Sequence, residues 1–139
     1  MAQDIKAIMR RFYDEVINGG KTDLVDELMA PDFVDHEAFP GLGSDREGVK
    51  QFFRMMRTAF PDFRMNIEDM LAEGDRGVVR STMTGTHRGD FMGVPATGKS
   101  INVAAIDIVR FSGGRVAEHW GVTDTAGMME QLGVAPPTV

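Results

Sequence analysis

Asp107 and His119 are the residues whose types and spacing first suggest chemistry. Asp107 stands inside "NVAAIDIVRF", flanked on both sides by apolar residues, and His119 lies in the next β-rich run, "RVAEHWGVTD". A carboxylate in an otherwise apolar strand loses hydration and needs a partner. The intervening "SGG" at Ser112 to Gly114 is a hairpin signal, so the two runs should pair. A three-residue loop sets Phe111 opposite Arg115, Val109 opposite Ala117 and Asp107 opposite His119, with Cβ atoms about 5 Å apart on one face. A two-residue loop sets Asp107 opposite Trp120 and turns His119 away. The first register makes an acid/base dyad, in which the carboxylate removes and returns a proton while the imidazole positions it or polarises a carbonyl. The same pair also reads as a buried polar contact that fixes strand register.

Other candidates are more diffuse. Asp35, His36 and Glu37 follow the second helical segment. With His87 and His119 they contain metal-ligating types, but no i, i+4 pair on a helix and no diagnostic spacing, so no metal is expected. Asp35, His36 and Glu37 read as pocket-rim polarity or a local turn, and His87 as a loop-end histidine either in solvent or at a pocket mouth. Tyr13, Trp120 and Met83 read as pocket walls or core. "GVPATGKS" at 93–100 matches the phosphate-loop pattern, yet the β-branched run "INVAAIDIVRF" follows it instead of a helix, and Pro95 lacks an N–H. It therefore reads as a loop between strands and not as a nucleotide site.

These residues need elements to hold them. Ile5, Ile8, Met9, Phe12 and Val16 recur at helical spacing over Gln3 to Asn18, and a second helix fits Thr22 to Met29, stopped by Pro31. Ser44 and Glu47 form a capping box before a third helix with the stripe Val49, Phe52, Phe53, Met56 and Phe60. Four strand-like runs follow, within 62–74, 77–89, 100–111 and 115–124, separated by Gly-rich breaks. A short helix capped by Asp124 or Thr125 comes next, then a loose tail, "VAPPTV". Helices first and strands after give an α+β fold with an antiparallel sheet.

At 139 residues the chain is one domain, residues 1–139, with no repeat or linker. A net charge of -6 disfavours nucleic acid and anionic membrane as partners. No cysteine is present, which removes disulfides and thiolate chemistry. No signal peptide or membrane-spanning run is evident, and a cytoplasmic location is expected. Apolar residues on both faces of "NVAAIDIV" suggest a homodimer through the outer sheet face.

The succession "FYDEVINGGKTDLVDELMAPDFVDH", "GTHRGDFMGVPATGKSI", "DIVRFSGGRVAEHWGVTD" and "MMEQLG" resembles the SnoaL-like polyketide cyclases, or ester cyclases, of the nuclear-transport-factor-two-like superfamily. The resemblance spans nearly the whole chain. It implies a cone-shaped α+β barrel, in which a strongly bent antiparallel sheet wraps around N-terminal helices and leaves an apolar pocket. It implies an intramolecular aldol ring closure on a small apolar substrate without metal or cofactor. In this resemblance Asp107 matches the acid/base, His119 its neighbour, and His36, His87 and Trp120 the pocket surround. Many relatives carry Asp directly after the "HW" pair, where this chain has Gly121. Two alternatives share the scaffold: a non-catalytic binding protein, and an epoxide hydrolase of the limonene-epoxide type, which needs an Asp–Arg–Asp constellation.

Overall fold

Helix α1 (Ala2–Arg11) buries Ile5 and Met9 as its spacing requires. The computed structural model describes residues 2–134, so most of the expected loose tail lies outside the described residues. Beyond α1 the backbone widens into a π turn over Phe12–Ile17, closed by the Asn18 N–H donating to the Tyr13 carbonyl at 2.9 Å. Such turns recur at functional positions because they re-aim one side chain. Here that side chain is Tyr13.

The second helical segment is shorter than expected, a 3-10 turn over Thr22–Leu24 and a single turn, α2 (Val25–Leu28). Strand β1 (Met29–Asp35) follows directly and was not anticipated. The restriction that Pro31 places on Ala30 ends the helix, and it also favours the extended backbone with which a strand begins. Pro31 is tolerated because β1 is an edge strand.

Helix α3 (Arg46–Ala59) is capped by Asp45, whose Oδ1 accepts from the Gly48 N–H at 2.9 Å. The expected Ser44–Glu47 box does not form. The Ser44 carbonyl instead accepts from the Asp35 N–H at 2.8 Å, tying the start of α3 to the end of β1. A Cβ on Gly48 would collide with the Gly43 carbonyl oxygen, so only glycine lets the 37–43 loop fold down onto the first turn of α3. Val49, Met56 and Phe60 are buried from this segment, while Phe52 and Phe53 are partly covered.

Strands β2 (Arg64–Glu73), β3 (Arg76–Thr86), β4 (Ser100–Ser112) and β5 (Arg115–Thr123) run antiparallel in order β2-β3-β4-β5, and β1 adds to β5 in parallel. The sheet is therefore mixed, and it stays open: β1 and β2 are its two edges rather than partners closing a barrel. The α+β class and the cone-shaped sheet around N-terminal helices hold, with those two corrections. Helix α4 (Thr125–Leu132) is capped by Asp124, which accepts from the Gly127 N–H at 2.8 Å.

The "GVPATGKS" segment joins β3 to β4, and Ser100 is already the first residue of β4. The Gly98 N–H donates to the His87 carbonyl at 2.8 Å. Among the described residues a strand and not a helix N-terminus follows the loop, where a phosphate cradle would need a helix.

Candidate active site

The β4–β5 hairpin decides where His119 points. Gly113 and Gly114 form a two-residue turn, so Ser112 pairs with Arg115 and Phe111 with Val116. This is the register that should turn His119 outward. Ala117, however, has no partner: the ladder resumes at Arg110 with Glu118, and Asp107 ends opposite Gly121. One extra residue on β5 reverses the facing of everything after it. Val116 faces inward before the bulge, and His119, Gly121 and Thr123 face inward after it. Asp107 and His119 thus meet as diagonal neighbours instead of directly opposed ones, and the missing Gly121 side chain leaves room for the contact.

His119 Nε2 lies 2.7 Å from Asp107 Oδ1, and Nδ1 lies 2.8 Å from Asp35 Oδ1. Asp35 is placed by the parallel pairing of β1 with β5, which sets it beside His119 in the ladder. Carboxylates only accept, so both ring nitrogens must donate and the ring is an imidazolium. Burial works against that charge. The hydrogen bonds and charges of Asp107 and Asp35 outweigh it and raise the His119 pKa from 6.5 to about 10. The second oxygen of Asp107 accepts from the Tyr13 hydroxyl at 2.9 Å. Burial, and then the Asp107 charge, push the Tyr13 hydroxyl well above its usual range, so it remains a donor.

This network forms the polar end of a cavity of about 260 Å³ enclosed by α1, the π turn, β1, the 37–43 loop, α3 and the inner sheet face. Phe12, Phe33, Phe39, Phe52 and Phe53, with Met9, Met29 and Met65, line the rest. Glu37 and Thr123 add polar groups to the lining. Partial burial raises the Glu37 carboxyl above its usual range; the His119 charge opposes this, and the Asp107 and Asp35 charges add to it.

Of the residues singled out from the sequence, Asp107, His119 and Tyr13 come together here. His36, His87, Trp120 and Met83 lie outside the cavity lining. Trp120 faces the other side of the sheet because its parity on β5 is opposite to that of His119. It stacks on His36 with centroids 4.9 Å apart, and the Arg76 guanidinium sits 5.0 Å from its ring. His36 Nε2 is 2.8 Å from Glu118, which also accepts from Arg110 at 2.6 Å. Met83 is buried core on β3. His87 is fully buried beyond the end of β3, its ring 5.4 Å from Phe60 and its Nδ1 accepting from the Thr97 N–H at 3.2 Å. From the sequence, Asp35 and Glu37 read as pocket-rim polarity, a local turn or a weak metal motif, and both do line the cavity. Recognising Asp35 as the third member requires the β1–β5 pairing, which no local pattern encodes.

Glu37, Asp107 and His119 place donor atoms within 4.8 Å of one another, the one grouping among the described residues that could take a cation. Both His119 nitrogens already face carboxylates, so a cation would have to displace a short hydrogen bond. No arginine lines the cavity among the described residues, and Arg80 and Arg110 pair instead with Asp69 and Glu118. Among the described residues the cavity lining holds an Asp–His–Asp arrangement in place of the Asp–Arg–Asp arrangement of an epoxide hydrolase.

The fold has counterparts. Wild-type IdmH from Streptomyces antibioticus superposes with a TM-score of 0.81 at 34% identity, over 93% of this chain and 98% of that one. The aklanonic acid methyl ester cyclase DauD of Streptomyces sp. (strain C5) is 28% identical over 129 residues, covering 89% of this chain and 79% of the relative. The nogalonic acid methyl ester cyclase of Streptomyces nogalater is 25% identical over 119 residues, covering 84% and 88%. The family model for SnoaL-like polyketide cyclases matches residues 7–132, from α1 to the last residue of α4, and the chain belongs to that family.

Proposed function

We propose that this protein is a cofactor-independent acid/base catalyst that closes a ring by an intramolecular aldol step, or isomerises, an apolar carbonyl substrate. The observation that supports this reading is the imidazolium of His119 held between Asp107 and Asp35, with Tyr13 above Asp107, at one end of an otherwise apolar cavity. Charge that develops on a carbonyl oxygen there meets a fixed cation and a hydroxyl donor in a water-poor site. Three carboxylates against one cation disfavour an anionic substrate, so a neutral ketone or ester fits better than a free acid. The substrates named for the two cyclase relatives are methyl esters, in keeping with that. A cavity of about 260 Å³ is small beside common ligand sites of about 300 to 1,000 Å³. One or two rings fit inside, and a larger substrate would extend through the mouth.

The direct test is incubation with aklanonic and nogalonic acid methyl esters, followed by mass spectrometry for a ring-closed product. Aldol closure conserves mass and changes retention and spectrum. Binding without turnover would favour the non-catalytic reading, and oxygen-18 from labelled water in the diol product of an epoxide would favour the hydrolase.

The outer face also bears on assembly. Ile106 and Val122 pair directly across β4 and β5 and are both exposed. We propose that a second copy covers them. Light scattering should give twice the chain mass, and a monomer at high concentration would contradict this.

A further inference from the structure

Gly121 lies at the centre of the site and has no side chain of its own. A Cβ placed on it would fall 2.5 Å from Asp107 Oδ1, 2.9 Å from Glu37 Oε1 and 3.0 Å from His119 Nε2. Three functional groups from β4, β5 and the segment after β1 therefore converge on one small volume above a bare stretch of backbone.

Their hydrogen bonding separates their roles. Asp107 accepts at both oxygens, from His119 and from Tyr13. Asp35 Oδ1 accepts from His119 and from the Glu37 N–H. The Glu37 carboxylate has no hydrogen-bond partner among the described residues, lines the cavity, and is more open to solvent than Asp107. Its backbone is nonetheless fixed, because its N–H donates to Asp35 at 2.8 Å. A base must be within reach of the substrate with a lone pair free, and Glu37 is the one of the three carboxylates with no hydrogen bond to either oxygen among the described residues.

Building on the acid/base reading above, we infer that Glu37 exchanges the proton with the substrate carbon, while the Asp107–His119–Asp35 array and Tyr13 serve the oxygen. A Glu37 oxygen takes a proton from the carbon next to a carbonyl. The C–H electron pair becomes the enolate C=C bond as the carbonyl pair moves onto oxygen, opposite the His119 charge and the Tyr13 O–H. The enolate carbon then attacks the second carbonyl, forming the C–C bond, and the resulting alkoxide receives the proton back from Glu37. Atoms and charge balance without a co-reactant. The raised Glu37 carboxyl suits a group that must both take and return a proton.

The experiment compares wild type, Glu37→Gln and Glu37→Asp in two assays. One is ring closure of the ester substrates; the other is hydrogen–deuterium exchange at the α-carbon of 2-tetralone in heavy water, followed by NMR. Glu37→Gln should lose at least about 100-fold in both rates, with 2-tetralone affinity within about 3-fold and the thermal midpoint unchanged, and Glu37→Asp should recover part of the loss. The acid limb of the wild-type exchange profile should vanish in Glu37→Gln. Exchange without ring closure by the wild type would overturn the ring-closure reading and leave Glu37 in place. Ring closure or exchange that survives in Glu37→Gln overturns the Glu37 assignment alone, and no exchange by the wild type overturns it as well. Loss of exchange on adding EDTA would also overturn it, because the carboxylate would then act through a bound cation.

Discussion

Replacing His119 by alanine should destabilise the fold by about 3 to 5 kcal/mol at neutral pH, a cost typical of removing one partner from a buried ion pair. The His119, Asp35 and Asp107 side chains are only 18%, 15% and 15% exposed. Without the imidazolium, two carboxylates face each other across a space that solvent only partly reaches. One further observation distinguishes this account from simple loss of packing. The deficit should be smaller when Asp107 is already asparagine, giving a non-zero coupling in a double-mutant cycle. The wild type carries the complementary signature. Folding raises the His119 pKa from 6.5 to about 10, so the associated stability is fully present below 6.5 and is lost as pH rises through that window. Urea unfolding from pH 6 to 10 should show this slope in the wild type and its absence in His119→Ala.

Asp107→Asn should lower kcat by about 100- to 1,000-fold while leaving substrate affinity and the overall fold nearly unchanged. Asparagine keeps the shape and can still accept from Tyr13. It removes one of the two charges that hold His119 protonated, so the cation facing the developing oxyanion weakens or leaves at neutral pH. The fall should therefore be smaller at lower pH, where His119 is protonated without help, and greater as pH rises. A rise in KM with kcat preserved would mean that Asp107 only shapes the cavity. The effect is distinct from that expected of Glu37→Gln, which removes the group at the carbon and leaves the His119 charge intact.

How much of this was legible in the sequence depends on the range of the contacts involved. The apolar period in 3–18 and 49–60, and the Gly-bounded runs that became β2 to β5, are local patterns and gave the α+β class. Asp45 replaced Ser44 as the cap of α3 because both are good capping residues and the Ser44 carbonyl was drawn to Asp35. The Asp107–His119 pair was anticipated through a register that does not form. A two-residue turn and the bulge at Ala117 each reverse the facing of His119, and the two reversals cancel. Nothing in "RVAEHWGVTD" marks a bulge, since Ala117 carries neither the glycine nor the polar turn chemistry that would signal one. Asp35 and Glu37 depend on β1 lying parallel to a strand some 80 residues away, a pairing set by tertiary packing. The inward placement expected of Trp120 failed for the same reason: the shift that admits His119 to the cavity excludes its neighbour.

The most direct test of the site is the protonation state of His119, read from its ring nitrogens by proton–nitrogen NMR across pH 5 to 11. Two carboxylates should keep both nitrogens protonated through neutral pH, with a transition at about 10, and the transition should move down in Asp107→Asn and in Asp35→Asn. A transition near 6.5 that neither substitution alters would contradict the charged Asp–His–Asp array, and with it the oxyanion-stabilising role assigned to the cavity.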